Sequence, residues 1–172
     1  DPQPFIYNNL ASAYRKSGDG EKALEYYGKA ISQDANYDMA YNNRGTVYFE
    51  KKDYDSALKD FKKALEINPN YPLALCNRAA VYHLQENYTG ALADLEKAVK
   101  LQPNNATALL NRGITREMLR NVDGACEDWQ KAHQLGLEKG KEDLLSEIGE
   151  KQTSLGKLIE KINLLQKKEK EH

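Results

Sequence analysis

The 172-residue sequence contains few helix-breaking residues, few cysteines and no long apolar run. With 11 glycines and 5 prolines, long segments can be helical without interruption. The mean hydropathy is −0.80, and no run approaches the roughly 20 apolar residues that a membrane-spanning helix needs. The 25 basic and 26 acidic residues leave a net charge of −1, which favours neither nucleic acid nor an anionic membrane as a partner. We therefore expect no membrane span and no nucleic-acid partner.

Residues that could carry chemistry are also scarce. The two cysteines, Cys76 and Cys126, have neither CxxC nor Cys/His metal spacing. Free thiols on this pattern suit a reducing compartment, so we expect a cytoplasmic protein. The three histidines do not combine with cysteine or carboxylate into a ligand set, and no phosphate-binding, zinc-protease or serine-hydrolase motif occurs. The sequence therefore predicts a protein that is not an enzyme and holds no metal or cofactor.

A 34-residue repeat organises most of the chain. Asn, Arg and a small residue follow one another at 43–45, 77–79 and 111–113. Aligned on this Asn, four segments span 4–37, 38–71, 72–105 and 106–139, and their positions are numbered here from 1 to 34. Positions 8, 20 and 27 are always small, whereas position 24 is Tyr27, Phe61, Leu95 or Trp129. Small residues let two helices approach closely, and the large one fills the space beside them. Each segment therefore predicts a helix–turn–helix that buries its apolar face by stacking on its neighbours.

This pattern resembles the tetratricopeptide repeat (TPR) family. The resemblance implies an all-α fold: a right-handed solenoid of four repeats over 4–139, then a C-terminal capping and extension helix over 140–172 with a frayed end. It also implies that the first helix of each repeat lines a concave groove. Repeat 4 departs most, with Arg116 and Leu137 at signature positions.

Positions 7 and 23 change together within the chain. Position 7 is Arg in repeats 2 to 4 and Leu10 in repeat 1, whereas position 23 is Asp in repeats 2 to 4 and Tyr26 in repeat 1. The simplest explanation is an Arg–Asp pair that bridges the two helices of each repeat, with an apolar pair in its place in repeat 1.

Position 6 is asparagine in every repeat: Asn9, Asn43, Asn77 and Asn111. On a helix, positions 2, 6, 9 and 13 form one stripe. Asparagine is a mediocre helix residue, so four in register need a reason. The groove of the O-GlcNAc transferase family carries a similar asparagine ladder, which implies contact with a peptide backbone, because an amide both donates and accepts hydrogen bonds. The alternatives are that each Asn bonds its own or a neighbouring helix, or is repeated by duplication alone.

Other side chains are also expected in the groove. Position 2 is Phe5, Met39, Leu73 and Thr107, and position 5 is Asn8, Asn42, Cys76 and Leu110. We predict peptide contacts from Thr46, Leu84, Leu110, Ile114 and Met118, unless the chain's own C-terminal segment covers the last four. A carboxylate clamp, as in TPR domains that hold chaperone C-termini, is not expected, because the clamp positions lack its cations.

The C-terminal segment has a pattern of its own. Leu144, Leu145 and Ile148 suit a capping helix, and Leu155, Leu158, Ile162 and Leu165 follow the spacing of a short heptad seam. This seam predicts either packing on the same chain or association with another copy.

Taken together, the sequence predicts a non-catalytic interaction scaffold that binds an extended peptide or partner segment in its groove. The alternatives are a self-associating assembly module that uses the 155–165 seam, or the targeting module of a larger enzyme.

Overall fold

In a computed structural model that describes residues 3–136, the predicted all-α fold is confirmed. This part of the chain forms eight α-helices and no strand. The helices are α1 (Pro4–Lys16), α2 (Gly20–Gln33), α3 (Asp38–Glu50), α4 (Tyr54–Ile67), α5 (Pro72–Leu84), α6 (Tyr88–Leu101), α7 (Ala106–Met118) and α8 (Val122–Gln134). No helix within residues 3–136 is long and apolar enough to cross a membrane.

The described residues divide into two compact units, one that ends at Leu101 and one that begins at Gln102. In the first unit, α1 packs along α2, α3 along α4 and α5 along α6. Each second helix also packs on the next first helix, α2 on α3 and α4 on α5. In the second unit, α7 packs along α8. Each antiparallel pair lies within one of the predicted repeats. Leu137, Leu144, Leu145 and Ile148 lie outside the described residues.

A two-residue motif makes the turn inside each pair. Its first residue has a positive φ, between 58° and 86°, and is Gly18, Lys52, Glu86 or Arg120. The next residue is Asp or Asn, and its side chain accepts a hydrogen bond from the backbone N–H three residues later, which caps the second helix. The turns therefore lie at 18–19, 52–53, 86–87 and 120–121.

The small residue at position 8 makes room for the large residue at position 24. A Cβ on Gly45 would lie 2.7 Å from Cε1 of Phe61, and one on Gly113 would overlap the indole of Trp129. Both aromatic rings are fully buried. Glycine at position 8 of repeats 2 and 4 therefore leaves Phe61 and Trp129 space that a methyl group would occupy.

The predicted Arg–Asp pairs are also present. Each Arg donates two hydrogen bonds to the Asp sixteen residues later, over 2.5–2.8 Å. The three pairs are Arg44–Asp60, Arg78–Asp94 and Arg112–Asp128, and all three carboxylates are buried. Such a bidentate pair fixes the relative placement of the two helices.

Repeats 1 and 4 depart from this arrangement in different ways. In repeat 1, Tyr26 stacks on Tyr14 with ring centres 5.3 Å apart. In repeat 4, Arg116 donates from Nη1 to Oδ2 of Asp128 over 2.9 Å and to the carbonyl of Gly124 over 3.2 Å. The unusual Arg116 thus adds a second cation to the same carboxylate.

Candidate functional site

The candidate site is one face of α1, α3 and α5 in the first unit, called here the first-helix face. It consists of positions 2, 6, 9 and 13 of the first three repeats. Its members are Phe5, Asn9, Ser12 and Lys16 on α1, Met39, Asn43, Thr46 and Glu50 on α3, and Leu73, Asn77, Ala80 and Leu84 on α5. None of these twelve side chains is fully buried.

Large apolar side chains are exposed at position 2 of all three helices. Phe5 is 54%, Met39 45% and Leu73 52% exposed. Single exposed apolar residues are common on protein surfaces, but three at one repeat position are arranged as a row. Leu84, at the other end of α5, is also exposed. The row is therefore an apolar surface that no residue within 3–136 covers.

The position-6 asparagines link neighbouring repeats. Nδ2 of Asn43 donates to Oδ1 of Asn8 over 3.1 Å, and Nδ2 of Asn77 donates to Oδ1 of Asn42 over 2.9 Å. The acceptors are position-5 residues of the preceding repeat and are buried. Each bond therefore satisfies a buried amide oxygen and holds two first helices in register.

These bonds extend into a chain of polar contacts. Nδ2 of Asn42 donates to Oδ1 of Asn43 over 3.4 Å, and Nδ2 of Asn8 lies 3.9 Å from Sδ of Met39. The hydroxyl of Thr46 donates to the carbonyl of Asn42 and lies 3.5 Å from Nδ2 of Asn77. Of the two alternatives for the asparagines, hydrogen bonding to a neighbouring helix is thus realised at Asn43 and Asn77.

The asparagine row also keeps unused hydrogen-bonding capacity. Asn9 is exposed, and its side chain forms no hydrogen bond to any residue in 3–136. Oδ1 of Asn77 likewise accepts none within that range, while its Nδ2 is engaged. Both amides can therefore donate to or accept from a peptide backbone without breaking a bond between repeats.

The sequence led us to expect position 5 in the groove, but the structure contradicts this expectation. All four residues at this position are buried: Asn8, Asn42, Cys76 and Leu110. At Asn8 and Asn42, position 5 faces the adjacent first helix. Burial raises the pKa of the Cys76 thiol to about 11, with a smaller contribution from Asp94. A thiol with that pKa is protonated at neutral pH and is a poor nucleophile.

The remaining predicted contacts lie on α7 in the second unit. Asn111 and Met118 are partly buried, whereas Leu110 and Ile114 are buried. A peptide can reach only exposed atoms, so Asn111 and Met118 remain candidates for contact. The predicted contacts at Leu110 and Ile114 would require these side chains to become exposed.

Charged groups on the first-helix face are few. Nε of Arg15 donates to Oε1 of Glu50 over 3.0 Å, which joins α1 to α3 at the end opposite Phe5 and Met39. Lys16 is exposed at the same end. The face is therefore mainly apolar and amide in character.

The hydrogen bonds between repeats correspond to a pattern in the sequence, the Asn-Asn doublet. Asn-Asn doublets occur at 8–9 and 42–43, and positions 76–77 and 110–111 are Cys-Asn and Leu-Asn. Buried acceptors thus occur where a doublet supplies them.

Within residues 3–136, no group of three or more His, Cys, Asp or Glu side chains could hold a metal ion. The predicted self-association residues, Leu155, Leu158, Ile162 and Leu165, lie outside the described part of the chain.

Comparison with solved structures identifies proteins of the same fold. The "MamA 41-end from Desulfovibrio magneticus RS-1" is 24% identical over 98% of this chain and 97% of that one, with a TM-score of 0.75. The "first TPR of Spaghetti (RPAP3) bound to HSP90 peptide SRMEEVD" is 24% identical, covers 69% of this chain and 94% of that one, and has a TM-score of 0.66. The "Arabidopsis OM64 TPR domain" is 25% identical, with coverages of 66% and 94% and a TM-score of 0.64.

Sequence comparison leads to the same family. No curated protein sequence gives a significant match. The sequence model of the Tetratricopeptide repeat family matches residues 4–37, 39–71 and 72–105, which together make up more than half of the chain. These matches include the repeats that form α1 to α6. The chain therefore belongs to the tetratricopeptide repeat family.

Proposed function

We propose that this protein is a non-catalytic protein–protein interaction module whose first-helix face binds an extended peptide segment of a partner protein. The observation that carries the proposal is the exposed row of Phe5, Met39 and Leu73. Exposed rows of large apolar side chains on a soluble surface are typical of recognition sites. Burying them against a partner would contribute about 25 cal/mol for each Å² of apolar area removed from water.

The asparagines beside this row would hold the peptide backbone. Asn9 and the Oδ1 atom of Asn77 can form hydrogen bonds in addition to those present within residues 3–136. Backbone recognition by amides is largely independent of peptide sequence, whereas apolar pockets select side chains. The proposed division of roles is therefore register from the amides, and affinity and selection from the apolar row.

The spacing of the row suggests the pattern in the ligand. Packed helices lie about 8–10 Å apart, and an extended peptide in the polyproline II conformation rises about 3.1 Å per residue with three residues per turn. Its side chains three residues apart point to the same face, so successive position-2 side chains would meet every third residue of such a peptide. A helical ligand, which rises about 1.5 Å per residue, would instead need apolar residues about five to seven positions apart.

The character of the face favours an apolar ligand over an acidic one. The Spaghetti domain is bound to an acidic HSP90 peptide, but here Arg15, which borders the first-helix face, is paired with Glu50 of that face. At the positions expected to form a carboxylate clamp, the chain has Asn42, Thr46, Thr107 and Asn111. Two carboxylates need cations that these residues do not supply.

Selection from a random peptide library tests the proposal. Selected peptides should share apolar residues at a spacing of three, and their Kd, measured by fluorescence anisotropy, should rise at least about tenfold in Phe5→Ala/Met39→Ala/Leu73→Ala. The control, Leu101→Ala/Leu119→Ala/Val122→Ala, removes three exposed apolar side chains elsewhere and should bind as the wild type does. Equal losses in both variants, or a loss only in the control, would contradict the proposal.

Self-association through Leu155, Leu158, Ile162 and Leu165 stays a prediction from the sequence. Light scattering on the full chain and on a chain that ends near residue 150 tests it. An oligomeric full chain together with a monomeric truncated chain would support assembly through this seam. If both chains are monomers, this prediction is contradicted.

A further inference from the structure

A cavity of about 350 Å³ lies among α4, α5 and α6 of the first unit. Its apolar lining is formed by Leu65, Pro69 and Leu75, and its cationic border by Lys62, Arg78 and Lys97. None of these residues stands at position 2, 6, 9 or 13 of its repeat. The cavity is therefore separate from the first-helix face.

The preceding repeat indicates what kind of group fits there. Position 4 is Tyr41 in repeat 2 and Leu75 in repeat 3. In repeat 2, the guanidinium carbon of Arg44 lies 5.6 Å from the centre of the Tyr41 ring. Arg44 and Arg78 both stand at position 7, and each holds the Asp sixteen residues later in the same bidentate geometry. Leucine at position 4 of repeat 3 supplies no ring beside Arg78, where the cavity lies.

Arg78 can accept a further aromatic contact. Its guanidinium carbon lies 5.8 Å from the ring centre of Tyr82, and a planar guanidinium can stack on rings at both of its faces. A ring from another molecule would thus make with Arg78 the contact that Tyr41 makes with Arg44. Leu65, Pro69 and Leu75 would contact the remainder of that ring.

The border of the cavity carries positive charge that is not neutralised by the described residues. Lys62 and Lys97 form no salt bridge within residues 3–136. The two carboxylates of the lining are engaged, since Asp94 binds Arg78 and Glu66 lies 3.1 Å from Nζ of Lys63. The two ammonium groups therefore favour a ligand that carries anionic groups next to the part that enters the cavity.

We propose that this cavity binds one aromatic side chain of a partner protein, and that carboxylates flanking this side chain in the partner pair with Lys62 and Lys97. The proposal goes beyond the peptide-binding function because it assigns a second site on another surface. The volume is at the lower end of the range of about 300–1,000 Å³ for small-molecule pockets, which suits a single ring.

The test uses a pentapeptide with a central tyrosine between two glutamates on each side, blocked at both ends, and methyl NMR of the intact chain. Saturable shifts are expected at the methyl groups of Leu65 and Leu75. A peptide with alanine in place of tyrosine should bind about tenfold more weakly or worse, because it lacks the ring contacts. A peptide with lysines in place of glutamates should also bind more weakly.

The chain offers its own matched variants. Leu75→Tyr copies repeat 2 and should fill the cavity, which abolishes the shifts at Leu65. Tyr41→Leu copies repeat 3 and should open a second site, with new shifts at Ile31, which stands where Leu65 stands in the next repeat. Lys62→Glu/Lys97→Glu alters only exposed side chains and should weaken binding several-fold, with a smaller effect at high salt.

The proposal is overturned if the tyrosine and alanine peptides bind equally, or if no shift occurs at Leu65 and Leu75 at millimolar peptide. It is also overturned if folded Leu75→Tyr binds as the wild type does. Should Leu75→Tyr fail to fold, the charge-reversal variant decides, because unchanged binding by that variant excludes the proposed pairing. The library-selected peptide, with apolar residues at a spacing of three, is a separate ligand for the first-helix face. Its binding therefore distinguishes loss of the cavity site from loss of the first-helix site.

Discussion

The side-chain amide of Asn77 donates a hydrogen bond to Oδ1 of Asn42 over 2.9 Å, from one repeat to the one before. Asn42 is 1% exposed, so its oxygen has no access to water as a replacement partner. The asparagine row therefore has a structural role at this junction, and any role in ligand binding adds to it.

Replacing Asn77 by alanine should destabilise the protein by about 1–3 kcal/mol, because the buried oxygen of Asn42 loses its donor. Asn9→Ala is the matched control, since Asn9 stands at the same repeat position but is exposed; we expect a change within about 0.5 kcal/mol. Urea unfolding followed by circular dichroism measures both. Equal effects of the two substitutions would show that the link between repeats contributes no stability.

Breaking an Arg–Asp pair should have a larger effect. Asp94→Ala leaves Arg78 without its carboxylate, and we expect a loss of about 2–4 kcal/mol, somewhat below the range for a fully buried pair because Arg78 keeps contact with water. Glu66→Ala, which removes an exposed ion pair with Lys63, should change stability by less than about 1 kcal/mol.

Repeat 1, which has other residues at positions 7 and 23, suggests a further test of the same pair. Arg78→Leu/Asp94→Tyr introduces the residues that repeat 1 has at these positions, Leu10 and Tyr26. This double variant should be more stable than the sum of its single substitutions predicts. Strict additivity in thermal unfolding would mean that the two positions are independent.

Gly113→Ala should destabilise the second unit, because the added methyl group would overlap the ring of Trp129. We expect a cost of about 1–3 kcal/mol, typical of overpacking in a core. Gly28→Ala in α2 meets no atom within 4 Å and should stabilise by about 0.5–1 kcal/mol, since alanine is the better helix residue. A stabilising Gly113→Ala, measured by calorimetry, would contradict the packing described for position 8.

Cys76 should resist alkylation. Its pKa is raised from 9.0 to about 11 by burial, and a thiol loses reactivity when its pKa lies far above the pH, because only the thiolate reacts. At pH 8 the thiolate fraction would be about a hundredfold below that of an ordinary cysteine. Mass spectrometry after timed iodoacetamide treatment should find Cys126 modified first, and both cysteines modified equally in denaturant. Faster modification of Cys76 in the folded protein would contradict its burial.

Much of the fold follows from the sequence because repeated positions report on the same environment several times. Position 8 is small in all four repeats, and Arg at position 7 occurs together with Asp at position 23 in three of them. These repetitions leave few alternatives for the packing of the two helices in each repeat. The environment of position 5 was predicted wrongly for a physical reason. It lies on the flank of the first helix, where helical periodicity alone does not tell whether the next helix covers it.

The candidate site was less predictable than the fold. The asparagine row was evident, but its hydrogen bonds to Asn8 and Asn42 depend on the distance between first helices, which the stacking of repeats determines. Exposure likewise depends on tertiary neighbours: Leu84 is exposed, whereas Ile114, also on the predicted groove stripe, is buried. Side-chain type at a repeat position therefore predicted the face but not which of its members a ligand can reach.

The most direct test of the proposed function uses the two methionines of the chain. With selective ¹³C-methyl labelling, Met39 reports on the first-helix face and Met118 on α7. Addition of a library-selected peptide should shift the Met39 signal saturably, with the Kd found by anisotropy, and a parallel shift of Met118 would extend the contact to α7. An unchanged Met39 signal while the peptide binds would contradict binding at the first-helix face.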